Sequence, residues 1–473
     1  MRADSRERMF LRSALAPDSR VQADSELLPW IDSRRAASPF EVQRAPLGSL
    51  DGWSFDQDGN LGHRSGKFFR IEGLHVSTNA GPTRQWEQPI MDQPEIGILG
   101  IVAKRFDGLI HFLMQAKMEP GNIDPVQITP TVQATRSNYT QVHQGARPRY
   151  VEYFLERERG RMLVDQLQYE QASTFLGKRN RNMVVLVEDE VPVHEDFRWL
   201  TLGQVKRLLT RPNLVSMDAR TVLSCIPLVD QTDGRHPEAL AASAVEDPLN
   251  DFQLGLLASM SPSGRALHSD EDIVGWLAGL RCQYELDVER TALGSMPCWT
   301  WSELDITHDG GRYFSVVGVH VQATNREVGS WDQPLVASTE RGLAAFLVKR
   351  INDVPHLLIQ GKVEPGNPDI VAVGPTVQCA LNGQRVRDGS SRFMDTVLSA
   401  PKDSVWFSSV QSEEGGRFYH VENDYRIVEI DPSGAPDEPD GYMWVTLRQL
   451  NQLLRFGQVN IEARSLLSCL SLI

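Results

Sequence analysis

The sequence predicts an α+β fold in which a mixed-sheet domain with flanking helices occurs twice in tandem. Three observations support this prediction: motifs recur in register 245 residues apart, short strand-like runs fill the middle of each copy, and helical leucine spacing closes each copy. The 473 residues, 41% of them hydrophobic, are enough for two domains. Because the period is too long for a solenoid or a propeller blade, we expect each copy to have its own core.

The repeat is defined by motifs that align at one constant offset. These motifs are W-[ED]-Q-P at Trp86 and Trp331, Q-x-K-x-E-P-G-N at Gln115 and Gln360, and P-T-V-Q at Pro130 and Pro375. We predict an N-terminal extension, a first repeat, a linker and a second repeat, over residues 1–26, 27–226, 227–268 and 269–473. Asp, Ala, Ser, Gly and Pro predominate in the linker, as is typical of a surface connection.

Each element follows from a local pattern. Short apolar or alternating runs predict strands at Phe68–Val76, Gly97–Phe106, Ile110–Glu119 and Gln127–Thr135. Helices are predicted at Leu27–Ile31 and Phe252–Ser259, after the caps Ser269, Thr201 and Thr446, and at the end of each copy, finishing at Cys225 and Cys469.

Composition narrows the possible functions. The 48 Lys and Arg against 62 Asp and Glu give a net charge of −14, which disfavours nucleic acid and anionic membranes as partners. Five scattered cysteines without a C-x-x-C pair favour a reducing compartment and no zinc site. With neither a signal peptide nor a membrane-spanning run in the sequence, we expect a soluble cytoplasmic protein.

Polar side chains on a predicted strand are the first candidates for a binding site. Because strand side chains alternate, Gln115, Lys117 and Glu119 share one face, and Gln360, Lys362 and Glu364 repeat the pattern. An amide, a cation and a carboxylate in a row could bind an anion and supply an acid or base. The alternative is a solvated strand face. Candidates on an adjoining strand are Thr131, Gln133, Thr376 and Gln378.

Aromatic and histidine positions are open to two interpretations. Trp86 and Trp331 could stack on a base or sugar, with Gln88 and Gln333 hydrogen-bonding beside them, or they could close a core edge. Histidines at His75 and His320 lie in apolar strands, where a buried structural role is the more common one.

The two copies differ in charge near their ends, where a two-residue gap changes the offset to 243. The first copy has the basic strand Lys178, Arg179, Asn180 and Arg181, which could hold a diphosphate. The second copy has Glu413, Glu414, His420 and Tyr425, which could move protons, together with Arg417 and Asn423 as candidate binding residues. The alternative is that this difference in charge between the copies is random divergence of surface residues without a functional role. The G-x-G-x-x-G, P-loop, G-x-S-x-G and H-E-x-x-H motifs are absent.

These duplicated motifs, with the Q-S-E-E-G-G-R-F-Y-H stretch from Gln411 to His420, resemble the NDP-hexose 2,3-dehydratases of deoxysugar and antibiotic biosynthesis. The resemblance extends from about Leu27 onward. It implies a doubled Nudix-like fold and elimination of water across C2–C3 of dTDP-4-keto-6-deoxy-D-glucose, giving a 3,4-diketo-2,6-dideoxy sugar nucleotide. The Nudix box itself is missing, which puts metal-dependent hydrolysis in doubt.

The resemblance further implies a lyase without cofactor or metal, a 3-ketoreductase that traps the labile product, and a homodimer. We expect the catalytic acid and base among Lys362, Glu364, Glu413, Glu414, His420 and Tyr425. The first copy is then either a nucleotide-sugar pocket without turnover or the true active site. Rival hypotheses are a non-catalytic nucleotide-sugar-binding protein and a Nudix-type diphosphatase with an altered metal site.

Overall fold

Helices occupy corresponding places in the two repeats of the computed structural model. The structure describes residues 5–140, 146–229, 239, 248–262, 265–311, 313–324, 326, 328–338, 340–381, 392–431 and 438–473. The helices are α1 (Arg6–Ala14), α2 (Leu27–Ala37), α3 (Arg136–Tyr139), α4 (Glu152–Leu155), α5 (Leu202–Leu208), α6 (Met217–Ser224), α7 (Asp251–Met260), α8 (Asp270–Gln283), α9 (Met394–Leu398), α10 (Leu447–Arg455) and α11 (Ile461–Cys469). Within these ranges, no helix is long and apolar enough to cross a membrane.

Polar caps begin the predicted helices. Thr201 accepts a hydrogen bond from the backbone N–H of Gln204 at the start of α5, and Thr446 accepts one from Gln449 at the start of α10. In both helices, the glutamine side-chain oxygen accepts a hydrogen bond from the backbone N–H of the cap residue, so a second donor at the helix start is paired. Ser269 caps α8 in the same way. These three predicted helix starts are confirmed.

A seven-stranded mixed sheet lies at the centre of the first repeat. Its strands are β6 (Gly97–Phe106), β7 (Leu109–Met118), β8 (Val126–Thr129), β9 (Val132–Ala134), β10 (Arg161–Tyr169), β11 (Arg179–Val187) and β12 (Phe197–Leu200). They are ordered β10-β11-β6-β7-β12, with β8 beside β7 and β9 beside β6. Strand β11 runs parallel to β6 and the other pairs are antiparallel.

The second repeat contains the equivalent sheet. Its strands are β18 (Gly342–Ile351), β19 (Val354–Val363), β20 (Val371–Gly374), β21 (Val377–Ala380), β22 (Val405–Ser412), β24 (Glu422–Glu429) and β25 (Tyr442–Thr446). The order is β20-β19-β18-β24-β22, with β21 beside β18 and β25 beside β19, and β24 runs parallel to β18. The predicted α+β class with mixed sheets is therefore confirmed.

Each repeat also has a smaller sheet, and the two repeats exchange a strand there. The first contains β2 (Trp53–Phe55), β3 (Leu61–His63), β4 (Arg70–Thr78), β5 (Gln85–Asp92) and β13 (Leu286–Thr291). The second contains β1 (Phe40–Ala45), β14 (Trp299–Trp301), β15 (Asp305–His308), β16 (Phe314–Ala323), β17 (Ser330–Ser338) and β23 (Phe418–Tyr419). Strand β1 of the first repeat pairs with β16, and β13 of the second repeat pairs with β4. Sequence alone did not predict this exchange.

The main hydrophobic core is shared by the two repeats. Its largest cluster includes Phe112 and Leu223 from the first repeat with Phe346 and Leu466 from the second. Helices α6 and α11 pack on each other, so the apolar face of each repeat's last helix is buried by the other repeat. The expectation of a separate core for each copy is therefore wrong for the main core. Smaller separate clusters also lie in each large sheet.

Two local features differ from the sequence analysis. The predicted strand Gln127–Thr135 is divided into β8 and β9, because Pro130 between them has no N–H to donate to a ladder. Helix α1 was not predicted, and it makes the same contact with its sheet as α7, which follows the predicted start of the linker. Ser13 in α1 donates to the carbonyl of Ile110, and Ser259 in α7 donates to that of Pro355, 245 residues further on.

Candidate active site

Two pockets lie at equivalent places, and side chains from both repeats line each of them. The Lys117 pocket, of about 610 Å³, has Lys117 and Glu119 at one end and Trp331 and Gln333 in its wall. The Lys362 pocket, of about 820 Å³, has Lys362 and Glu364 with Trp86 and Gln88. The W-[ED]-Q-P motif of each repeat therefore completes the pocket of the other repeat.

Lys117 and Glu119 stand at the end of β7, where strand alternation turns Met118 into the core and the two charged side chains into the pocket. Lys117 Nζ lies 2.8 Å from Glu119 Oε1 and donates to Gln133 Oε1 at 2.9 Å. Arg326, from the connection between β16 and β17, lies 3.1 Å from the same carboxylate oxygen. Burial would raise the pKa of Glu119, but the charges of Arg326 and Lys117 outweigh it and lower the pKa to about 2.

Three further carboxylic acids face Lys117 and Glu119 across the pocket: Glu170, Asp218 and Glu414. Burial, helped by the charge of Glu170, raises the pKa of Asp218 to about 7. Burial and the charge of Asp218 raise the pKa of Glu414 to about 7. The pocket thus combines an ionised carboxylate with acids that titrate near neutrality, which suits proton transfer.

Cations also line the pocket and act on these acids. Lys178 lines the pocket and donates to the backbone carbonyl of Glu95, and burial lowers its pKa to about 8. The Arg417 guanidinium lies 4.5 Å from the centre of the Phe69 ring and donates to the carbonyl of Gly416 at 2.7 Å. With Lys117 and Arg326, they give the pocket four cations that could neutralise a diphosphate.

Part of the lining of the Lys117 pocket is aromatic. Trp53, His63, Phe68 and Phe69 line it, all from the first repeat. The indole N–H of Trp53 donates to the backbone carbonyl of Asp332 in the second repeat at 2.7 Å. Flat apolar faces beside a charged end suit a nucleotide, whose base stacks while its phosphates pair with cations.

The Pro-Gly turns of the Q-x-K-x-E-P-G-N motifs join the repeats beside the pockets. Gly121 N–H donates to the carbonyl of Gly415 at 2.7 Å, and Gly366 N–H donates to that of Ala172 at 2.7 Å. A Cβ atom on Gly121 would overlap the carbonyl of Phe418. These turns therefore need glycine for close backbone approach, not for a positive φ angle.

The Lys362 pocket keeps part of this chemistry. Glu364 accepts a hydrogen bond from Gln378 at 3.1 Å, and burial raises its pKa. Burial, followed by the charges of Glu364 and Glu413, raises the pKa of Glu462 to about 8. The residues aligned with Arg326, Arg417 and Lys178 are Gly81, Thr174 and Val421, and the last two line this pocket.

The structure brings many predicted site residues into the pockets. Those in the Lys117 pocket are Lys117, Glu119, Gln133, Lys178, Asn180, Trp331, Gln333, Glu414 and Arg417. Those in the Lys362 pocket are Trp86, Gln88, Lys362, Glu364, Gln378 and Asn423. The expected catalytic set is thus divided, because Glu414 faces Lys117 and not Lys362.

Other predicted residues lie outside the pockets. Alternation along β11 turns Arg179 and Arg181 away from Lys178 and Asn180, and Arg181 pairs with Asp165 at 2.6 Å. Of the four residues of the predicted basic strand, only Lys178 and Asn180 therefore line the Lys117 pocket.

The predicted proton-transfer cluster of the second copy is not assembled either. Tyr425 is fully buried and donates to Glu413 at 3.4 Å, behind the Lys362 pocket. His420 is exposed and its ring stacks on Tyr419, and the backbone N–H of His420 donates to the carbonyl of Gly121.

Four predicted binding residues lie outside the linings of the two pockets. Thr131 and Thr376 are buried, and their hydroxyls donate to the carbonyls of Leu113 and Leu358. Gln115 lies on β7 opposite Phe197 and outside the lining of the Lys117 pocket, and Gln360 donates to the carbonyl of Pro375 at 2.8 Å.

Sequence reasoning missed several residues of the pockets. Asp218 and Glu462 lie in the first turns of α6 and α11, within the recurring stretches D-A-R-T-V-L-S-C and E-A-R-S-L-L-S-C, whose repetition was a usable signal. Arg326 gave no such signal, because its equivalent is Gly81. His75 and His320 line the pockets beside Glu87 and Asp332, so the expectation of buried structural histidines is wrong. Within the described residues, no group of three or more His, Cys, Asp or Glu is arranged to hold a metal ion.

Comparison with known proteins identifies the family. The profile of the NDP-hexose 2,3-dehydratase family matches residues 24–226 and again residues 270–470. The chain belongs to this family. It is 47% identical to the dTDP-4-dehydro-6-deoxy-alpha-D-glucopyranose 2,3-dehydratase of Saccharopolyspora spinosa, over 98% of this chain and 94% of that protein.

Two further members of the family carry the same name. The protein of Amycolatopsis orientalis is 43% identical, over 97% of this chain and 92% of its own length. The protein of Streptomyces violaceoruber is 45% identical, over 93% and 95%. The suspected resemblance to 2,3-dehydratases is therefore confirmed, and both repeats belong to the match.

Proposed function

We propose that the chain eliminates water across C2–C3 of dTDP-4-keto-6-deoxy-D-glucose, and that the Lys117 pocket catalyses the reaction. The names of three relatives at 43–47% identity support the substrate. One observation carries the choice of pocket. Arg326, Arg417 and Lys178 line the Lys117 pocket, whereas the residues aligned with them in the sequence are Gly81, Thr174 and Val421, none of which is a cation.

The reaction needs a base, an acid and a cation. The C4 ketone acidifies the proton on C3, so a base removes that proton while a cation stabilises the enolate oxygen. The C2–O bond then breaks, and an acid protonates the departing hydroxyl, which leaves as water. The resulting enol tautomerises to the 3,4-diketo-2,6-dideoxy sugar nucleotide.

Within the Lys117 pocket we assign these roles to three residues. Glu119 is ionised and serves as the base, and Lys117 beside it polarises the ketone. Glu414 serves as the acid, because a pKa of about 7 leaves about half of it protonated at neutral pH. Lys178 and Arg417 bind the diphosphate. This proposal moves the chemistry from Lys362 and Glu364 to their equivalents in the first repeat.

The Lys362 pocket is, in this proposal, a nucleotide-sugar pocket without turnover. It keeps the aromatic wall, with Trp86, Trp299 and Phe314, and one lysine. Its acids Glu364 and Glu462 have raised pKa values, so their protonated forms limit repulsion of an anionic ligand. Fewer cations oppose the two diphosphate charges there, which predicts weaker binding.

Four finer statements belong to the same proposal. Each repeat is a Nudix-like domain, supported by a seven-stranded mixed sheet with helices packed on it. A 3-ketoreductase consumes the product, because a 3,4-diketone is labile. The protein works in the cytoplasm as a homodimer, and light scattering of the purified chain tests the dimer.

The product mass tests the proposed reaction. We would incubate the protein with dTDP-4-keto-6-deoxyglucose, a 3-ketoreductase and NADPH, without added metal. Loss of water with the nucleotide retained supports dehydration. Release of dTMP would instead support the diphosphatase alternative, and unchanged substrate would support binding only. Replacement of Glu119 by Gln should lower turnover by about 10²-fold or more, and Glu364→Gln is the matched control.

A further inference from the structure

Arg326 connects the proposed base to the opposite wall of the Lys117 pocket. Its Nη1 lies 3.1 Å from Glu119 Oε1 and donates to the carbonyl of Met118 at 2.5 Å. The guanidinium carbon lies 5.6 Å from the centre of the Trp331 ring. The side chain is 16% exposed and lines the pocket, so a bound ligand can reach it.

The chain contains its own comparison for the effect of this arginine. Glu364 occupies the position equivalent to Glu119 and has Lys362 nearby, but Gly81 stands where Arg326 stands. Burial raises the pKa of Glu364. In the Lys117 pocket burial acts in the same direction, but Arg326 exerts the largest opposing effect and, with Lys117, lowers the pKa of Glu119 to about 2. A carboxylate held by two cations is a weak base.

We propose that Arg326 is a positioning residue that pairs with the Glu119 carboxylate before the substrate binds. When the substrate binds, the Arg326 guanidinium leaves Glu119 and pairs with the diphosphate. This inference rests on the proposed function of the Lys117 pocket and deepens it. Binding of the nucleotide would then produce the strong base that the reaction needs, and only when a substrate with a diphosphate is present.

The charges favour this change of partner of Arg326 from Glu119 to the diphosphate. A diphosphate carries two negative charges and offers several oxygens to the planar guanidinium, whereas Glu119 carries one charge. Lys117 stays within 2.8 Å of Glu119 and preserves the orientation of the carboxylate. Arg417 and Lys178 also line the pocket, but the largest effects that lower the pKa of Glu119 come from Arg326 and Lys117. Their binding to phosphate therefore changes the base less.

The groups that face Glu119 come from four elements. Lys117 lies on the same strand, Arg326 follows β16, Asp218 lies on α6 and Glu414 follows β22. Loss of the arginine contact removes the largest single charge effect that lowers the pKa of Glu119. The two neighbouring acids have pKa values of about 7 and are neutral where Glu119 titrates, so they do not oppose this change. Binding should therefore raise the pKa of Glu119.

The pH dependence of steady-state kinetics tests the inference. The acidic limb of kcat/KM reports the free enzyme and that of kcat reports the complex. In the wild type we expect the kcat limb to lie about one pH unit or more above the kcat/KM limb. In Arg326→Ala we expect KM to rise by about tenfold or more. The two limbs should then coincide, because the kcat/KM limb moves upward.

Matched variants separate this role from phosphate binding or folding. Arg417→Ala should raise KM and keep the separation between the two limbs. Arg326→Lys should restore part of the KM and part of the separation, and its thermal midpoint shows whether the fold is intact. An Arg326→Ala variant with a raised KM but an unmoved kcat/KM limb would overturn the inference. Full turnover in Glu119→Gln would instead overturn the proposed function.

Discussion

Buried carboxylic acids give the pockets an unusual response to pH. Burial raises the pKa of Glu413 and Glu414 to about 7 and that of Glu462 to about 8. A raised folded-state pKa means that the folded chain binds more protons than the unfolded chain above pH 4.5. The contribution of these acids to the free energy of unfolding is then largest below pH 4.5 and is lost as the pH rises through 7 to 8. Glu119, with its lowered pKa, acts in the opposite direction and loses its contribution only in acid.

Replacement of Glu413 by Gln isolates this effect, because Glu413 is buried and lies outside both pocket linings. A shift in pKa from 4.5 to about 7 corresponds to a destabilisation on the order of 3 kcal/mol well above pH 7. We therefore expect the thermal midpoint of Glu413→Gln to fall less than that of the wild type between about pH 5 and about pH 8. Glu188, 86% exposed, provides the control variant Glu188→Gln. Parallel curves for the wild type and Glu413→Gln would contradict this account.

The sequence predicted individual site residues where both repeats share them. Lys117 and Gln133 were found because Lys362 and Gln378 stand in register with them. Arg326 has no such partner, and nothing in the linear sequence shows that the second repeat reaches the first repeat's pocket. The direction of each side chain on β11 depends on which face meets the pocket, and this depends on the packing of the two repeats.

At the scale of elements, the turns and connecting segments form the boundary between the two pockets. The segment 413–421 places Glu414 and Arg417 in the Lys117 pocket, and Phe418 and Val421 in the Lys362 pocket. The segment 170–178 is divided in the same way. Gly121 and Gly366 bring the Pro-Gly turns against these segments.

A methyl group at Gly121 should disturb this contact. In Gly121→Ala the new Cβ would meet backbone, which cannot move aside as a flexible side chain could. We expect a loss of stability of about 1 to 3 kcal/mol, measured by chemical denaturation. Gly275 in α8 has open space around it, so Gly275→Ala should be neutral or stabilising by up to about 1 kcal/mol. Equal effects of the two variants would show that the turn tolerates a side chain.

Element positions were predictable wherever local chemistry decides them. The Thr caps and leucine spacing fixed α5 and α10, and strand β6 was predicted with its observed bounds. Strands β1 and β13 were not assigned, and their pairing with the other repeat depends on contacts more than 200 residues apart in sequence. No local pattern encodes such a partner.

At the scale of the whole molecule, duplication has produced one structure with two unequal pockets. The shared core and the exchanged strands tie the repeats together, so each pocket depends on both. The sequence showed that the copies differ in charge. Only the fold showed that cations from both repeats, Lys178 with Arg326 and Arg417, gather in a single pocket.

The turnover of two matched lysine variants tests the central claim most directly. Lys117 and Lys362 occupy equivalent strand positions, one in each pocket. With dTDP-4-keto-6-deoxyglucose and a 3-ketoreductase, we expect Lys117→Ala to lower kcat/KM by about 10²- to 10³-fold. Lys362→Ala should stay within about threefold of the wild type. A large loss in Lys362→Ala, with turnover retained in Lys117→Ala, would place catalysis in the other pocket and contradict the account.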